Sequence, residues 1–199
     1  MPSAPRHDVP VPGSHLAQFF DSVESQVGEV SRYIANGLAA GDRVVVVLHE
    51  RRWDAVSKRL RMAGHDPDDA QQSGALIVRE TGSMLRLLTR RGRPDPELFD
   101  QHVGHLVRTL EQRGAHLRIY GEIVDYLAVR GDYRNAIQLE ELWNGLAERH
   151  TFTLFCGYSS LSFGDPRRAD TLKSICCVHS HVRADERDPL ASFLLDAHS

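Results

Sequence analysis

The run Val44-Val45-Val46-Val47-Leu48 decides the fold, because five consecutive apolar residues, four of them β-branched, are typical of a strand buried on both faces. Such strands occur in parallel sheets that helices cover on both sides. A helix predicted to begin at a cap at Asp21 and to end at Gly41 precedes this strand. A second helix is predicted over residues 52–63. The most apolar strand is therefore predicted to have a helix on each side of it in the sequence.

The same alternation continues in both directions along the chain. Further strands are predicted to begin at His15 and over residues 75–78, 117–120 and 152–156. A helix is predicted to begin at Asp95-Pro96-Glu97, with the aspartate as cap and proline in the first turn, and to run to Gly114. Alternating strands and helices predict an α/β fold with a mostly parallel central sheet and helices on both faces.

Composition narrows the functional classes. The 199 residues carry 24 basic and 27 acidic side chains, and a formal net charge of -3 argues against nucleic acid or a membrane surface as partner. Three cysteines, two of them adjacent, do not predict a disulfide framework, so a reducing cytoplasm is expected. Residues 1–13 are rich in proline and are predicted to form a disordered arm. A tail at 183–199, which could include a short docked helix, follows the domain predicted over 14–182.

The residues after the central strand do not support phosphate binding. In an open α/β sheet, ligands bind beyond the carboxyl ends of the strands. The stretch His49-Glu50-Arg51-Arg52-Trp53 contains neither the glycines nor the lysine that a phosphate-binding loop requires. The chain has only two lysines, Lys58 and Lys173, and neither follows a predicted strand directly. We therefore expect no nucleotide and no other cofactor.

Two sets of residues could carry chemistry. Glu122 follows a strand and a glycine, and it is either a ligand-binding group at the sheet edge or a carboxylate that stabilises a helix start. Thiolates and imidazoles such as Cys176, Cys177, His179 and His181 suit zinc, but the fourth ligand of a complete site is missing. Cys156 or His15 could join them only through folding. Buried cysteines without a metal are the expected state.

Several blocks of the chain together resemble a known family. They are Tyr33-Ile34-Ala35-Asn36-Gly37-Leu38, Arg118-Ile119-Tyr120-Gly121-Glu122, Leu139-Glu140-Glu141-Leu142-Trp143-Asn144 and Ile175-Cys176-Cys177-Val178-His179-Ser180-His181-Val182. Their order and spacing are similar to those of the MEDS domain, the methanogen/methylotroph DcmR sensory domain. The resemblance implies a RecA/KaiC-like core without Walker motifs. It also implies a bacterial signal-input module for small molecules, joined to or working beside DNA-binding proteins, histidine kinases or anti-sigma regulators.

The resulting expectation is a non-catalytic sensor that binds a small organic ligand at the carboxyl edge of the sheet. The expected polar lining consists of His15, His49, Glu122, Tyr158 and His179. There is no room for a helix-turn-helix before residue 13 and no kinase segment after 182, so a regulatory partner, not direct DNA binding, is expected to carry the output. A homodimer is compatible with this view. Two alternatives remain open: an interaction module without a ligand, and a metal-dependent enzyme that uses the cysteines and histidines between 176 and 181.

Overall fold

The computed structural model describes residues 12–163 and 169–184 of the chain. The predicted arm at 1–13 and the predicted tail at 183–199 lie almost wholly outside these ranges. Asp165-Pro166, a pair that predicts a further helix start, lies outside them as well.

A six-stranded sheet forms the centre of the fold. Its strands are β1 (His15–Phe20), β2 (Arg43–Leu48), β3 (Leu76–Glu80), β6 (Leu117–Gly121), β7 (Thr153–Ser159) and β8 (His181–Ala184), and the two short strands β4 (Thr89–Arg90) and β5 (Arg93–Pro94) form a separate antiparallel pair. The order across the large sheet is β3-β2-β6-β7-β1-β8, and all neighbouring strands are parallel. The predicted parallel α/β class is therefore confirmed.

Helices cover both faces of this sheet. They are α1 (Val23–Ala39), α2 (Glu50–Met62), α3 (Pro67–Gln72), α4 (Thr81–Leu88), α5 (Pro96–Phe99), α6 (His105–Glu111), α7 (Ile123–Val129), α8 (Tyr133–Ala147) and α9 (Ala169–Cys177). Helices α1 and α2 pack on one face, and the helices from α4 to α9 pack on the other. Within the described residues, none of the helices has the length and apolar character needed to cross a membrane.

The apolar run of β2 is divided between two cores, as its burial on both faces requires. Val44, Val46 and Leu48 pack beneath α1 and α2, whereas Val45 and Val47 face the larger core on the opposite side. All five side chains are at most 5% exposed. The alternation follows from the two-residue period of a strand.

Three local predictions differ from the structure. The cap of α1 is Ser22, which accepts a hydrogen bond from Ser25 N at 3.1 Å, so the predicted cap at Asp21 is wrong by one residue. The helix predicted from Pro96 to Gly114 is interrupted by a π-helical turn, Asp100–Gly104, between α5 and α6. The edge strand β8 was not predicted, because its four residues are mostly polar and offer no apolar run.

Candidate functional site

In a parallel sheet, the ligand crevice lies where the connections from two neighbouring strands run in opposite directions. The chain leaves β1 towards β2 on one side and leaves β7 towards β8 on the other, although β1 and β7 are neighbours. The topological switch point therefore lies beyond Phe20 and Ser159. The equivalent of a phosphate loop was expected after β2, at His49, and the strand order corrects that position to the loop after β1.

The loop after β1 does not fit a nucleotide phosphate either. Asp21 and Ser22 join β1 to α1, and the first turn of α1 contains Glu24. No glycine allows a close backbone approach, no lysine is present, and the carboxylates repel an anion at this helix start. The loop after β1 therefore lacks the residue types that a phosphate loop uses.

A buried carboxylate, Glu122, lies near this edge of the sheet, on the face covered by α1 and α2. It is 2% exposed and forms an ion pair with the guanidinium of Arg52. Its Oε1 accepts hydrogen bonds from Tyr120 at 2.9 Å and from Gln26 Nε2 at 3.2 Å, and its Oε2 accepts one from the backbone of His49 at 3.3 Å. We call these five residues the Glu122 cluster.

The electrostatics of the Glu122 cluster are those of a compensated ion pair. Burial lowers the pKa of Arg52, but the charge of Glu122 and the hydrogen bond to it outweigh burial and raise that pKa overall. Burial, with the charge of Glu122 as a second cause, raises the pKa of Tyr120 well above its usual value. The guanidinium is therefore a permanent cation, and the tyrosine remains a neutral donor.

A second buried carboxylate, Glu140, projects from α8 on the opposite face of the sheet. It is completely buried. Its Oε2 lies 3.2 Å from His15 Nε2 and 3.8 Å from Cys156 Sγ. Its Oε1 accepts a hydrogen bond from the Tyr158 hydroxyl and lies 3.3 Å from His179 Nε2. We call these five residues the Glu140 cluster.

The two imidazoles of the Glu140 cluster are oriented by bonds at their far nitrogens. His15 Nδ1 lies 2.8 Å from Asn144 Oδ1, and Asn144 Nδ2 donates to the carbonyl of Val178 at 2.8 Å, which fixes the orientation of the amide. His179 Nδ1 lies 2.7 Å from the carbonyl oxygen of Ile175. Because these partners are acceptors, both Nδ1 atoms carry hydrogen, and both Nε2 atoms face Glu140.

The charge state of the Glu140 cluster depends on groups that titrate. Burial alone raises the pKa of Glu140, but His179 and His15 outweigh it and hold that pKa well below its usual range. Burial lowers the pKa of His179, yet the carboxylate of Glu140 raises it overall. Burial and the adjacent carboxylate raise the pKa of Cys156 and of Tyr158 well above their usual values. No arginine or lysine is among these contacts.

The five residues expected to line one pocket belong to two places. His15, Tyr158 and His179 meet in the Glu140 cluster, whereas Glu122 and the backbone of His49 belong to the Glu122 cluster across the sheet. The side chain of His49 is exposed. It caps the N-terminus of α2 by accepting a hydrogen bond from Arg51 N. A single lining by all five residues is thus not formed, because successive strand residues face opposite sides.

The predicted metal candidates are also separated. Of Cys176, Cys177, His179 and His181, only His179 belongs to the four-residue group that the folded chain brings within ligand distance, His15, Glu140, Cys156 and His179. Cys177 is exposed, and so is His181. The α9 helix ends at Cys177, so the two cysteines lie in the helix, whereas His179 and His181 lie beyond it.

Glu140 is the functional candidate that sequence reasoning missed. It lies on the buried side of α8, four residues after Ala136 and three before Trp143, both of which are buried. A buried carboxylate must be paired or hydrogen-bonded. The helical spacing of Glu140 from the apolar residues of α8 was therefore the sequence signal that could have identified it. The same signal marks Gln26, which lies four residues before Val30 on α1.

A cavity of about 340 Å³ opens on the same face of the sheet as the Glu140 cluster. Its floor is formed by β2 and β6, and its wall by α4, the π-helical turn and α6. The lining residues are Val45, Val47, Arg79, Met84, Leu87, Gln101, His102, Val103, His105, Leu106, Val107, Thr109, Leu117, Ile119, Ile123 and Trp143. The deep residues are aliphatic or aromatic, whereas Arg79, Gln101 and His105 are exposed at the rim.

The π-helical turn shapes this cavity. A π turn adds one residue to the helical ladder and changes the direction in which the following side chains point. Three residues of the turn, Gln101, His102 and Val103, line the cavity, and His105 and Leu106 of α6 follow them. Short π segments within α-helices often occur at functional sites.

Comparisons with known proteins agree with this architecture. A family profile described as "MEDS: MEthanogen/methylotroph, DcmR Sensory domain" matches residues 14–180. Among solved structures, a KaiC-like protein from the hyperthermophilic archaeon Pyrococcus horikoshii OT3 superposes with a TM-score of 0.53 at 18% identity. The match covers 74% of this chain and 63% of that protein, so it supports the RecA/KaiC-like fold alone. No curated protein matches the sequence.

Proposed function

The chain belongs to the MEDS family of sensory domains, and from this premise we propose that it is a non-catalytic signal-input domain that binds a small organic molecule and regulates a partner protein. The cavity between the sheet and α4–α6 is the observation that carries the proposal. Its volume of about 340 Å³ falls at the lower end of small-molecule sites. A compact, largely apolar ligand with one polar group suits an apolar floor with a polar rim.

The lining favours binding over catalysis. Among the residues that line the cavity there is no cysteine and no carboxylate, so the lining offers no thiol nucleophile and no carboxylate to pair with the imidazoles of His102 and His105. Arg79, His105 and Thr109 can donate hydrogen bonds to a polar group of the ligand at the mouth. The apolar floor, which includes Val47 and Ile119, would hold the hydrocarbon part.

Ligand binding would reach a partner through the wall of the cavity. A ligand shifts a conformational equilibrium by its differential affinity for the two states. The π-helical turn and α6 form that wall, and Leu87 beside them is 47% exposed. We propose that this surface is read by a regulatory protein of the histidine-kinase or anti-sigma type, with which members of the family are associated.

The test uses Trp143 as a reporter, because its indole lines the cavity. Trp53, the only other tryptophan, is replaced in a Trp53→Phe background. Small alcohols, amines, thiols and halogenated hydrocarbons are screened by tryptophan fluorescence and by thermal unfolding. A ligand of this class should change the emission of Trp143 and raise Tm, since it binds the native state only.

Matched variants localise the binding. Leu106→Phe reduces the space in the cavity and should abolish the fluorescence response. Leu142→Phe makes the same change at a partly buried position of the same core that does not line the cavity, and it should leave the response intact. If no compound of the panel raises Tm, or if both variants respond alike, the sensor proposal is wrong, and the interaction module without a ligand becomes the preferred function.

A further inference from the structure

We propose that the Glu140 cluster is a binding site for a divalent transition metal, with zinc as the best fit, held by Nε2 of His15, Nε2 of His179, Sγ of Cys156 and a carboxylate oxygen of Glu140. This site lies outside the cavity of the proposed function, which requires no metal. Its four residues come from β1, α8, β7 and the segment after α9.

Three of the distances among the ligand atoms, those that join His15, Cys156 and Glu140, are close to the distances in a tetrahedral site. In a tetrahedral zinc site with bonds of about 2.0–2.3 Å, the ligand atoms are roughly 3.3–3.6 Å apart. Here His15 Nε2 lies 3.4 Å from Cys156 Sγ and 3.2 Å from Glu140 Oε2, and Cys156 Sγ lies 3.8 Å from the same oxygen. All four ligand atoms lie within 4.8 Å of one another.

The hydrogen bonds behind the imidazoles prepare them as ligands. Metal-binding histidines usually donate their second N–H to a carbonyl or carboxylate oxygen, and this fixes the tautomer. His15 does so to Asn144, and His179 does so to the carbonyl of Ile175. In their neutral form, both imidazoles therefore direct the lone pair of Nε2 towards Glu140.

One nitrogen of the cluster is buried without a hydrogen bond. His179 is 8% exposed, and its Nε2 has no partner of acceptable geometry although it lies 3.3 Å from Glu140 Oε1. A buried polar atom in this state costs free energy unless something satisfies it. A metal ion between His179, His15 and Cys156 supplies the missing partner.

The charges of the ligand set balance those of a divalent ion. Glu140 and a Cys156 thiolate contribute two negative charges, and two neutral imidazoles contribute none, so the buried site with the metal is neutral. Binding replaces the S–H bond of Cys156 by a sulfur–metal bond, and the proton is released to solvent. Four protein ligands leave no open position, which is typical of a structural metal and not of a catalytic one.

Cobalt(II) is the probe that reports the geometry. The full-length chain is treated with chelator under reducing conditions, dialysed and titrated with Co²⁺. We expect one equivalent to give the sulfur-to-cobalt charge-transfer band and the intense visible bands of tetrahedral cobalt, both displaced by Zn²⁺. Elemental analysis of the protein before chelation should show a transition metal in stoichiometric amount.

Variants assign the ligands and keep the test decisive. Cys156→Ser should abolish the charge-transfer band, and His179→Ala and Glu140→Gln should weaken binding at least about tenfold, since even supporting residues cost that much. Asn144→Ala should weaken it about tenfold or more through His15. Cys177→Ser and His181→Ala change the same residue types at exposed positions outside the cluster and should bind normally.

The outcomes separate this site from the sensory cavity. A folded, reduced wild-type chain that gives no cobalt–thiolate band contradicts the proposal, and so does a band that survives Cys156→Ser but is lost in Cys177→Ser. Circular dichroism of each variant identifies loss of fold, and the wild-type result does not depend on the variants. Fluorescence of Trp143 with organic ligands tests the cavity independently.

Discussion

Two buried carboxylates, one on each face of the sheet, are stabilised in opposite ways. Glu122 is 2% exposed and Glu140 is fully buried, and each accepts a hydrogen bond from a tyrosine hydroxyl of a sheet strand. Glu122 is paired with Arg52, whose charge is permanent. Glu140 is surrounded by two imidazoles and a thiol, whose charges depend on protons or on a metal.

The difference indicates which cluster is structural and which is available for binding. A guanidinium satisfies its carboxylate at every physiological pH and leaves nothing for a ligand to add. Imidazole and thiol groups can bind a cation through their lone pairs, and Nε2 of His179 has no protein hydrogen bond. Similar burial therefore supports two different roles, and the following experiments test that distinction.

The largest effect should come from removing the permanent cation. Arg52→Met leaves Glu122 buried without a counterion and should lower the free energy of unfolding by about 3 kcal/mol, measured by urea denaturation. The double variant Arg52→Met/Glu122→Gln should recover more than half of that loss. Arg51→Met, at the exposed neighbouring position, is the control and should change stability by less than about 0.5 kcal/mol. An equal loss of unfolding free energy in Arg52→Met and Arg51→Met would contradict a structural role of the ion pair.

Loss of the Tyr158 hydroxyl should lower stability more than loss of the Tyr120 hydroxyl. In the presence of chelator, Tyr158→Phe should cost about 2 kcal/mol, because Glu140 loses a hydroxyl donor and has no arginine to compensate. Tyr120→Phe should cost about 1 kcal/mol, since Arg52 and Gln26 still hold Glu122. Urea denaturation measures both. The reverse order would show that the surroundings of Glu140 are the better compensated.

A glycine of β7 tests how tightly the Glu122 cluster is packed. A Cβ at Gly157 would overlap the Tyr120 hydroxyl and lie 3.1 Å from Gln26 Nε2. Gly157→Ala should therefore cost about 1.5 kcal/mol, and the cost should fall when Tyr120→Phe removes the hydroxyl. Gly121→Ala is the matched control on β6, because a Cβ there meets no atom within 4 Å. Equal costs at the two glycines would contradict the close contact.

The smallest effect concerns a third carboxylate that Arg52 does not pair directly. Burial raises the pKa of Asp125, and the charge of Glu122 adds to it, although Ser159 N and Ser162 Oγ donate to the carboxylate at 2.9 and 3.2 Å. A raised folded pKa means that the native state holds its proton more tightly than the unfolded chain. The contribution of Asp125 to stability should therefore increase slightly as the pH falls from its folded pKa towards the ordinary value near about 4.

Asp125→Asn should remove this slope, which should amount to less than about 1 kcal/mol in urea midpoints collected between about pH 4 and 7. Ser162→Ala removes one hydrogen bond to the charged carboxylate and should steepen the slope. A wild-type protein that loses more stability than Asp125→Asn as the pH falls over this interval would show that the hydrogen bonds outweigh the burial of Asp125.

The sequence allowed the architecture to be predicted but not the partners within the sites. The run at Val44–Leu48 could form little else than a doubly buried strand, and the stretch from His49 to Trp53 lacks the glycines and the lysine of a phosphate loop. Strand order was not predictable from periodicity, so the position of a phosphate loop was expected at His49 and not in the loop after β1.

The division of the expected lining has a similar cause. His15 and His179 are 164 positions apart, and only the pairing of β1 with β7 and β8 brings both to Glu140. Glu122 and Tyr158 both belong to strand ends, but Tyr158 faces the larger core, whereas Glu122 bonds to Tyr120 on the other side. Asp21 and Ser22 are both residue types that cap helices, so residue type alone does not decide between them.

The pairing of His15 with the segment after α9 has a consequence for how the chain folds. Ser180 donates its backbone N–H to the carbonyl of His15 at 2.9 Å, so the two ends of the described chain are joined beside the Glu140 cluster. Contacts between residues so distant in sequence form late, because closing a long loop costs entropy before any contact repays it. An ion held by His15 and His179 would bind only after the two ends have met, so it would slow unfolding without speeding folding. Its occupancy would report that β8 is in place.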